Sequence, residues 1–469
     1  MRHLSIDIET KSSVDIGKAG LYRYAQSDDF EILLFAYRYG NEEVQIIDLA
    51  QGEKIPEAIV EDLKNSSIMK HAYNAAFEWY CLNRAGYMTP LGQWKCTMVH
   101  GLYCGYTAGL DATGKAIGLP QDKRKLATGK ALIRYFCVPC KPTKSNGNRS
   151  WNLPKHAPEK WELFKEYCRQ DVVTESAILA RLDAFPVPDE EEKLWQMDIR
   201  MNAFGVKVDS ELIRGALQVN EQSTILLETE AKEITGLDNP NSSTQLLDWI
   251  HKHGVEMDNL QKATVTEKLA DDLPDNVRRA LEIRQQLGKT SIKKYVAMDV
   301  AKGNDDRVRG LTQYYGANRT GRWAGRLVQM QNLPRNYIKS LDYARKLVKA
   351  QNYDGIKLLY GNVPDTLSQL IRTAFIPSEG NKFVVADFSA IEARVIAWLA
   401  GETWVNEVFA THGKIYEATA SQMFHVPIEK IAKGNPEYSL RQKGKVATLA
   451  LGYQGGSNAC LLYTSDAAD

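Results

Sequence analysis

Three stretches of this sequence carry carboxylates at positions where simple folding rules would gather them. His3-Leu-Ser-Ile-Asp-Ile-Glu9 alternates with period two, so a strand turns Leu4, Ile6 and Ile8 to one face and Ser5, Asp7 and Glu9 to the other. Two carboxylates on one strand face repel each other unless a cation lies between them. A divalent metal pair is the usual solution, and Mg²⁺ prefers carboxylate oxygens. An acidic edge strand facing solvent is the alternative. His71-Ala-Tyr-Asn-Ala-Ala-Phe-Glu78 offers a third carboxylate at a helix start. Tyr167-Cys-Arg-Gln-Asp171 sets a phenol and a carboxylate one helical turn apart, on one face of an amphipathic helix.

A second group of residues lies towards the C-terminal end. Lys382-Phe-Val-Val-Ala-Asp387 reads as a short apolar strand (Phe383–Ala386) ending in a carboxylate, a place suited to a metal. Ser389 and Glu392 have the spacing of a capping box, which offers Glu392 a purely structural role. Arg441, Lys445, Leu449 and Tyr453 recur every fourth residue and form one slowly drifting stripe on a helix. Asn435-Pro436 can start that helix and Gly455-Gly456 can end it. Between the two groups, Arg307 to Arg335 holds six arginines and no acidic residue, interleaved with Tyr314, Tyr315 and Trp323. That is the composition of a phosphate-tracking surface, with a solvated basic loop as the bland reading.

The elements that must position these residues follow from pattern. Strands are expected at Leu4–Ile8, Glu31–Tyr37 and Val44–Ile47, and a helix at Trp161–Leu182, giving an α/β domain. Phe185-Pro-Val-Pro-Asp189 breaks any helix and reads as a hinge. A mostly helical, charged region runs from there to about residue 300, interrupted by the loop Asp238-Asn-Pro-Asn-Ser-Ser243. Gly310–Asn332 reads as loop or ribbon. A long helical stretch then leads to Phe383, and helices continue to Leu451.

Composition sets the frame. The 469 residues are 44% hydrophobic and 25% charged with a formal net charge of +1, ordinary globular material in two to four domains. No apolar run approaches the roughly 18 residues that span a bilayer, so no membrane partner is expected. Seven scattered cysteines fit a reducing interior. The single close pair, Cys137 and Cys140, lacks the second pair that a zinc site needs. A strand beginning by Leu4 leaves no room for a signal peptide, which makes the cytoplasm the expected compartment.

The first carboxylate set resembles the three motifs of proofreading 3′→5′ exonucleases, over roughly residues 1–185. The resemblance implies a ribonuclease H-like domain in which Asp7, Glu9, Glu78 and Asp171 hold two Mg²⁺ ions, with Mn²⁺ as a substitute, and Tyr167 helps orient the attacking water. The family usually has aspartate where this chain has Glu78. Asp387-Phe-Ser-Ala-Ile-Glu-Ala-Arg394 resembles the first palm motif of family A DNA polymerases. Asp387 would then bind the catalytic metals, Glu392 would favour deoxynucleotides, and Arg394 would belong to the same site. The four-residue stripe resembles that family's fingers helix, placing Arg441 and Lys445 on the incoming triphosphate and Tyr453 near the templating base. Leu449 stands where the family has an aromatic, which puts sugar selectivity in question.

Asn318-Arg-Thr-Gly-Arg322 and Gln331-Asn-Leu-Pro334 resemble the primer–template segment, with Arg319, Thr320, Arg322, Gln331 and Asn332 on DNA. Ser243-Thr-Gln-Leu246 and Leu287-Gly-Lys-Thr-Ser-Ile-Lys-Lys294 resemble the thumb, adding Lys289 and Lys293. The expected organisation is an exonuclease at 1–185, thumb and start of the polymerase at 190–310, and partial palm and fingers at 311–459. The whole is expected to act as a monomer on primer–template DNA, single-stranded 3′ ends and deoxynucleoside triphosphates. The absence of a 5′-nuclease region ahead of Leu4 suggests a phage or prophage source.

The family's last palm motif, a histidine followed by two acids, is not found after Gly456. Residues 460–469, Cys460 to Asp469, resemble a translated sequencing-library adapter and are expected to be a non-native tail. The chain is therefore expected to be truncated and to lack primer extension. A stand-alone exonuclease would leave the later motifs idle, and a non-catalytic nucleic-acid-binding protein would leave the ordered carboxylates idle.

Overall fold

Alternating and near-continuous apolar runs at the N-terminal end build a five-stranded sheet: β1 (Arg2–Lys11), β2 (Glu31–Tyr39), β3 (Gln45–Asp48), β4 (Ile68–Ala72) and β5 (Trp94–Cys96). Their order is β3-β2-β1-β4-β5. β1 and β3 run antiparallel to β2, while β4 runs parallel to both β1 and β5. β1 is thus the central strand rather than an acidic edge, and both of its faces are covered. The computed structural model describes residues 2–107, 109–452 and 455–456, which divide between two compact units, Met1–Asn381 and Lys382–Asp469.

Two helices carry chemistry to the sheet. α1 (Ala76–Arg84) follows β4 directly, and α2 (Pro158–Leu182) packs along β1 and β2. Leu34 and Ala36 of β2 share a buried cluster with Phe136, Trp161 and Phe164. Trp161 Nε1 donates to Asp48 Oδ2 at 2.6 Å, which ties the first turn of α2 to the end of β3. Leu4, Ile6 and Ile8 enter a separate cluster on the opposite side, with Phe35, Trp94 and Trp195.

The proline-rich break falls between Leu182 and α3 (Asp189–Phe204). α4 (Ser210–Thr235) follows, capped by Asp209, whose Oδ1 accepts from Leu212 N at 3.0 Å. The other Asp209 oxygen pairs with Arg345 and Lys349 at 2.6 and 2.7 Å, which fixes α4 to a later helix of the same unit. Two short pairings follow, β6 (Val206–Lys207) with β7 (Arg307–Val308), and the hairpin of β8 (Thr312–Ala317) with β9 (Arg322–Gly325). The expected helical stretch ahead of Phe383 consists of three short helices, Leu341–Lys349, Tyr353–Tyr360 and Val363–Leu370. Asn352 and Asn362 interrupt it, because each amide side chain caps a new helix start, accepting from Gly355 N and Asp365 N.

The second unit is helical: α5 (Ile391–Ala400), α6 (Thr403–Thr411), α7 (Ile415–Phe424) and α8 (Leu440–Gly452). Gly444 lets α8 approach α7 closely, since a Cβ there would lie 2.1 Å from Tyr416 O. Two local expectations fail here. Phe383–Ala386 forms no strand, and Val384 and Val385 are exposed. An extended segment needs a neighbour to pair its backbone groups, and this unit has no strand among its described residues. The capping box of Ser389 and Glu392 is also absent. Ala390 takes the N-cap position in a left-handed conformation (φ 51°), which moves Ser389 one residue out of capping register.

Candidate functional site

The sheet brings the first carboxylate set together from three elements. Asp7 and Glu9 stand on central β1, Glu78 in the first turn of α1, and Asp171 with Tyr167 on the buried face of α2. Glu9, Glu78 and Asp171 are all at most 8% exposed, an environment that carboxylates rarely occupy without a cation. Burial first, and then the charge of Asp171, push the Asp7 carboxyl well above the ordinary carboxylate range. Glu9 is pushed up by burial and by Asp7, and Glu78 by burial and by Asp7. The Tyr167 phenol is raised in the same way, by burial and then Asp171, and keeps its proton.

Glu78 Oε2 and Asp171 Oδ1 are buried without a hydrogen-bond partner. Orphaned oxygens facing a crowd of like charges are what a divalent cation would satisfy, so the donor set fits one. Asp7, Glu9, Glu78 and Asp171 would hold it.

Two residues of this centre carry no mark in the sequence, and a third carries only its spacing. Lys125 Nζ pairs with Asp171 Oδ2 at 2.5 Å and lies 4.6 Å from the centre of the Tyr167 ring. It belongs to the run Lys123-Arg-Lys125, whose composition resembles any solvated surface. Cys168 is fully buried with Sγ 3.4 Å from Asp7 Oδ2. Glu175 is a further buried carboxylate, one turn beyond Asp171, which accepts from Thr97 Oγ1 and from Ser176 Oγ. Only the one-turn spacing of Asp171 and Glu175 hinted at it.

The arginine-rich segment divides its labour. Arg309 is bidentate to Asp305, and Arg307 donates to Gly205 O and Ser378 Oγ, so both are spent on the fold. Arg319 and Thr320 stand exposed in the β8–β9 turn, Arg322 is exposed at the start of β9, and Gln331 and Asn332 are exposed in a turn beyond it. Lys293 is exposed, whereas Lys289 is paired with Asp365 at 2.6 Å. The ribbon is anchored by Asp198 of α3, which is buried and accepts from Thr312 Oγ1, Tyr314 N and Trp323 Nε1 at 2.5, 2.9 and 2.9 Å. A cleft of about 820 Å³ lies beside that anchor, lined by Tyr73, Asn74, Trp195, Asp198, Tyr314 and Arg326 among others.

In the second unit, Asp387 is exposed in the irregular segment before α5, and Glu392 sits in the first turn of α5. Arg394 donates to Ser389 O at 2.9 Å and lies over the Phe409 ring. Arg441, Lys445 and Leu449 form a half-buried stripe on α8, and Arg441 pairs with Glu417 of α7 at 2.7 Å. No hydrogen bond or ion pair joins Asp387 to Arg441 or Lys445 among the described residues. Tyr453 lies outside the described residues, as does the tail from Cys460.

Residues 212–460 match the family model described as DNA polymerase family A. The chain is similar to the DNA polymerase of Bacillus phage SP02, 56% identical over 462 residues, which cover 98% of this chain and 70% of the relative. It is 44% identical over 72 residues to the thermostable DNA polymerase I of Thermus aquaticus, covering 15% of this chain and 9% of that one. Among solved structures, the POL domain of Pol1 from M. smegmatis, in complex with DNA primer-template and dNTP, superposes with a TM-score of 0.57. Identity there is 16%, over 99% of this chain and 71% of that one, so this likeness concerns the fold. With the family model covering more than half of the chain and the phage relative nearly all of it, the chain belongs to DNA polymerase family A, nucleotidyltransferases that work with divalent metal ions.

Proposed function

We propose that this DNA polymerase carries, in a ribonuclease H-like region at residues 1–185, a 3′→5′ exonuclease that removes nucleotides from single-stranded 3′ ends. The observation that carries the reading is the convergence of Asp7, Glu9, Glu78 and Asp171 in a buried site beside Tyr167. Divalent cations, two per centre and Mg²⁺ or Mn²⁺ by the oxygen chemistry of the ligands, would supply positive charge to the carboxylates and to the phosphodiester under attack.

The remaining chemistry belongs to the chain. Lys125 favours the ionised form of Asp171 against the effect of burial. Tyr167, held protonated, can donate a hydrogen bond to a water or a phosphate oxygen. The cleft lined by Tyr73, Asn74 and Tyr314 offers aromatic faces and an amide, the groups that hold single-stranded bases without reading their sequence.

We read residues 190–310 as the thumb and start of the polymerase, 311–459 as partial palm and fingers, and 460–469 as a non-native tail. Arg319, Thr320, Arg322, Gln331, Asn332, Lys289 and Lys293 would contact the primer–template backbone, which positions DNA without specifying sequence. Arg441 and Lys445 would hold the triphosphate, with Glu392 and Leu449 on the sugar side, Tyr453 near the templating base, and Arg394 in the same substrate site. Asp387 is the single polymerase carboxylate that the motifs identify in these 469 residues. The molecule would act as a monomer in the cytoplasm of a bacterial host.

The test is metal-dependent release of mononucleotides from the 3′ end of a labelled single strand, with Asp7→Ala as control. An unchanged rate in Asp7→Ala refutes the metal-centre assignment.

A further inference from the structure

The exonuclease reading leaves one buried group of its centre without a task. Cys168 follows Tyr167 on α2 and points its thiol at β1, with Sγ 3.4 Å from Asp7 Oδ2 and 3.9 Å from Asp7 O. Ligand atoms of Asp7, Glu9 and Cys168 all lie within 4.8 Å of one another. The orphaned oxygens Glu78 Oε2 and Asp171 Oδ1 belong to the same cluster of mutually repelling carboxylates. A hydrogen bond from the thiol to Asp7 accounts for the 3.4 Å separation. It does not account for a buried thiol set beside three acidic side chains, Asp7, Glu9 and Asp171.

We propose that this centre is also a binding site for a thiophilic divalent cation of the zinc class, held by Asp7, Glu9 and Cys168. The spacing suits such an ion. Bond lengths of about 2.3 Å to sulfur and about 2.0 Å to oxygen, at a tetrahedral angle, set S and O roughly 3.5 Å apart. Mg²⁺ makes no comparable use of sulfur, so the thiol separates the two classes of ion at one set of carboxylates. Binding forms a metal–sulfur bond and releases the S–H proton to solvent, with no change of oxidation state. Because Asp7 and Glu9 are shared, an ion of this class excludes Mg²⁺ and inhibits hydrolysis. This inference rests on the exonuclease reading for the identity of the shared carboxylates.

The experiment titrates the full chain with Co²⁺ and records the thiolate-to-cobalt charge-transfer band, then measures inhibition of Mg²⁺-dependent 3′ hydrolysis by Zn²⁺. The wild-type protein should give the band at one equivalent. Cys168→Ala, checked for folding by circular dichroism, should lose it while keeping the other six cysteines. The Zn²⁺ concentration for half-inhibition should rise at least about tenfold in that variant, the scale on which even supporting groups matter to a metal site. Asp7→Ala should also weaken the band. An identical cobalt spectrum in wild type and Cys168→Ala overturns the proposal, as does an unchanged zinc midpoint. The two readings separate cleanly. Mg²⁺-dependent hydrolysis without a Cys168-dependent band removes the thiophilic site alone, whereas the band without hydrolysis supports the site and removes the nuclease reading.

Discussion

Lys125 Nζ lies 2.5 Å from Asp171 Oδ2 and caps the Tyr167 ring, so one ammonium group touches both side chains that α2 contributes to the carboxylate centre. Its partner is only 6% exposed and the lysine side chain 27%, which makes this a partly desolvated pair rather than a surface ion pair. Burial raises the Asp171 carboxyl and Lys125 opposes that rise.

Replacing Lys125 with Met should therefore move the acidic limb of the exonuclease pH profile to higher pH. The loss of rate should be larger at neutral than at alkaline pH. A uniform loss across the pH range would show that Lys125 acts on substrate rather than through Asp171.

Asp7, Glu9 and Glu78 all have carboxyls raised in the folded state, chiefly by burial. A carboxyl raised on folding leaves full stability below its unfolded pKa and costs stability as pH rises through the folded value. The chelator-treated protein should thus melt at progressively lower temperature as pH climbs above the ordinary carboxylate range. Added Mg²⁺ or Mn²⁺ should raise the melting temperature more at pH 8 than at pH 5. Thermal melts with and without metal at the two pH values check this.

Asp198 satisfies two ribbon N–H groups, Tyr314 N and Trp323 Nε1. Asp198→Ala leaves both without that acceptor and should destabilise the first unit by about 2–4 kcal/mol, taking the cost of each unsatisfied buried donor. Urea unfolding measures this, and binding of duplex DNA should weaken alongside because the ribbon loses its anchor.

Arg441 is held by Glu417 at 2.7 Å on the face proposed to meet the triphosphate. A nucleotide must draw Arg441 away from that carboxylate. Glu417→Gln should therefore tighten binding of a fluorescent deoxynucleoside triphosphate several-fold, and Arg441→Ala should weaken it. Unchanged affinity in both would remove α8 from nucleotide binding.

Much of the centre was legible from local pattern. Period-two alternation placed Asp7 and Glu9 on one strand face, and one-turn spacing placed Tyr167 and Asp171 on one helix face, because side-chain direction in regular elements depends on backbone geometry alone. The same rule set Arg441, Lys445 and Leu449 in line on α8. Local pattern also misled where an element depends on a neighbour. Phe383–Ala386 has the composition of a strand, yet composition cannot provide a pairing partner. Ser389 and Glu392 have capping spacing, yet the left-handed Ala390 shifts the start of the helix.

The sequence by itself determined which carboxylates exist, on which faces of which elements they lie, and to which polymerase family they point. Tertiary structure alone decided that β1 is central rather than an edge, which turns two acidic residues from a solvated face into a buried, repelling pair. It alone brought Lys125, and the α2 face that carries Cys168 and Glu175, to that pair, because the packing of α2 and of the Lys125 loop on β1 follows from the path of the chain between elements. Burial does the rest: in a desolvated site each added charge or thiol shifts its neighbours, and that coupling is a property of the fold.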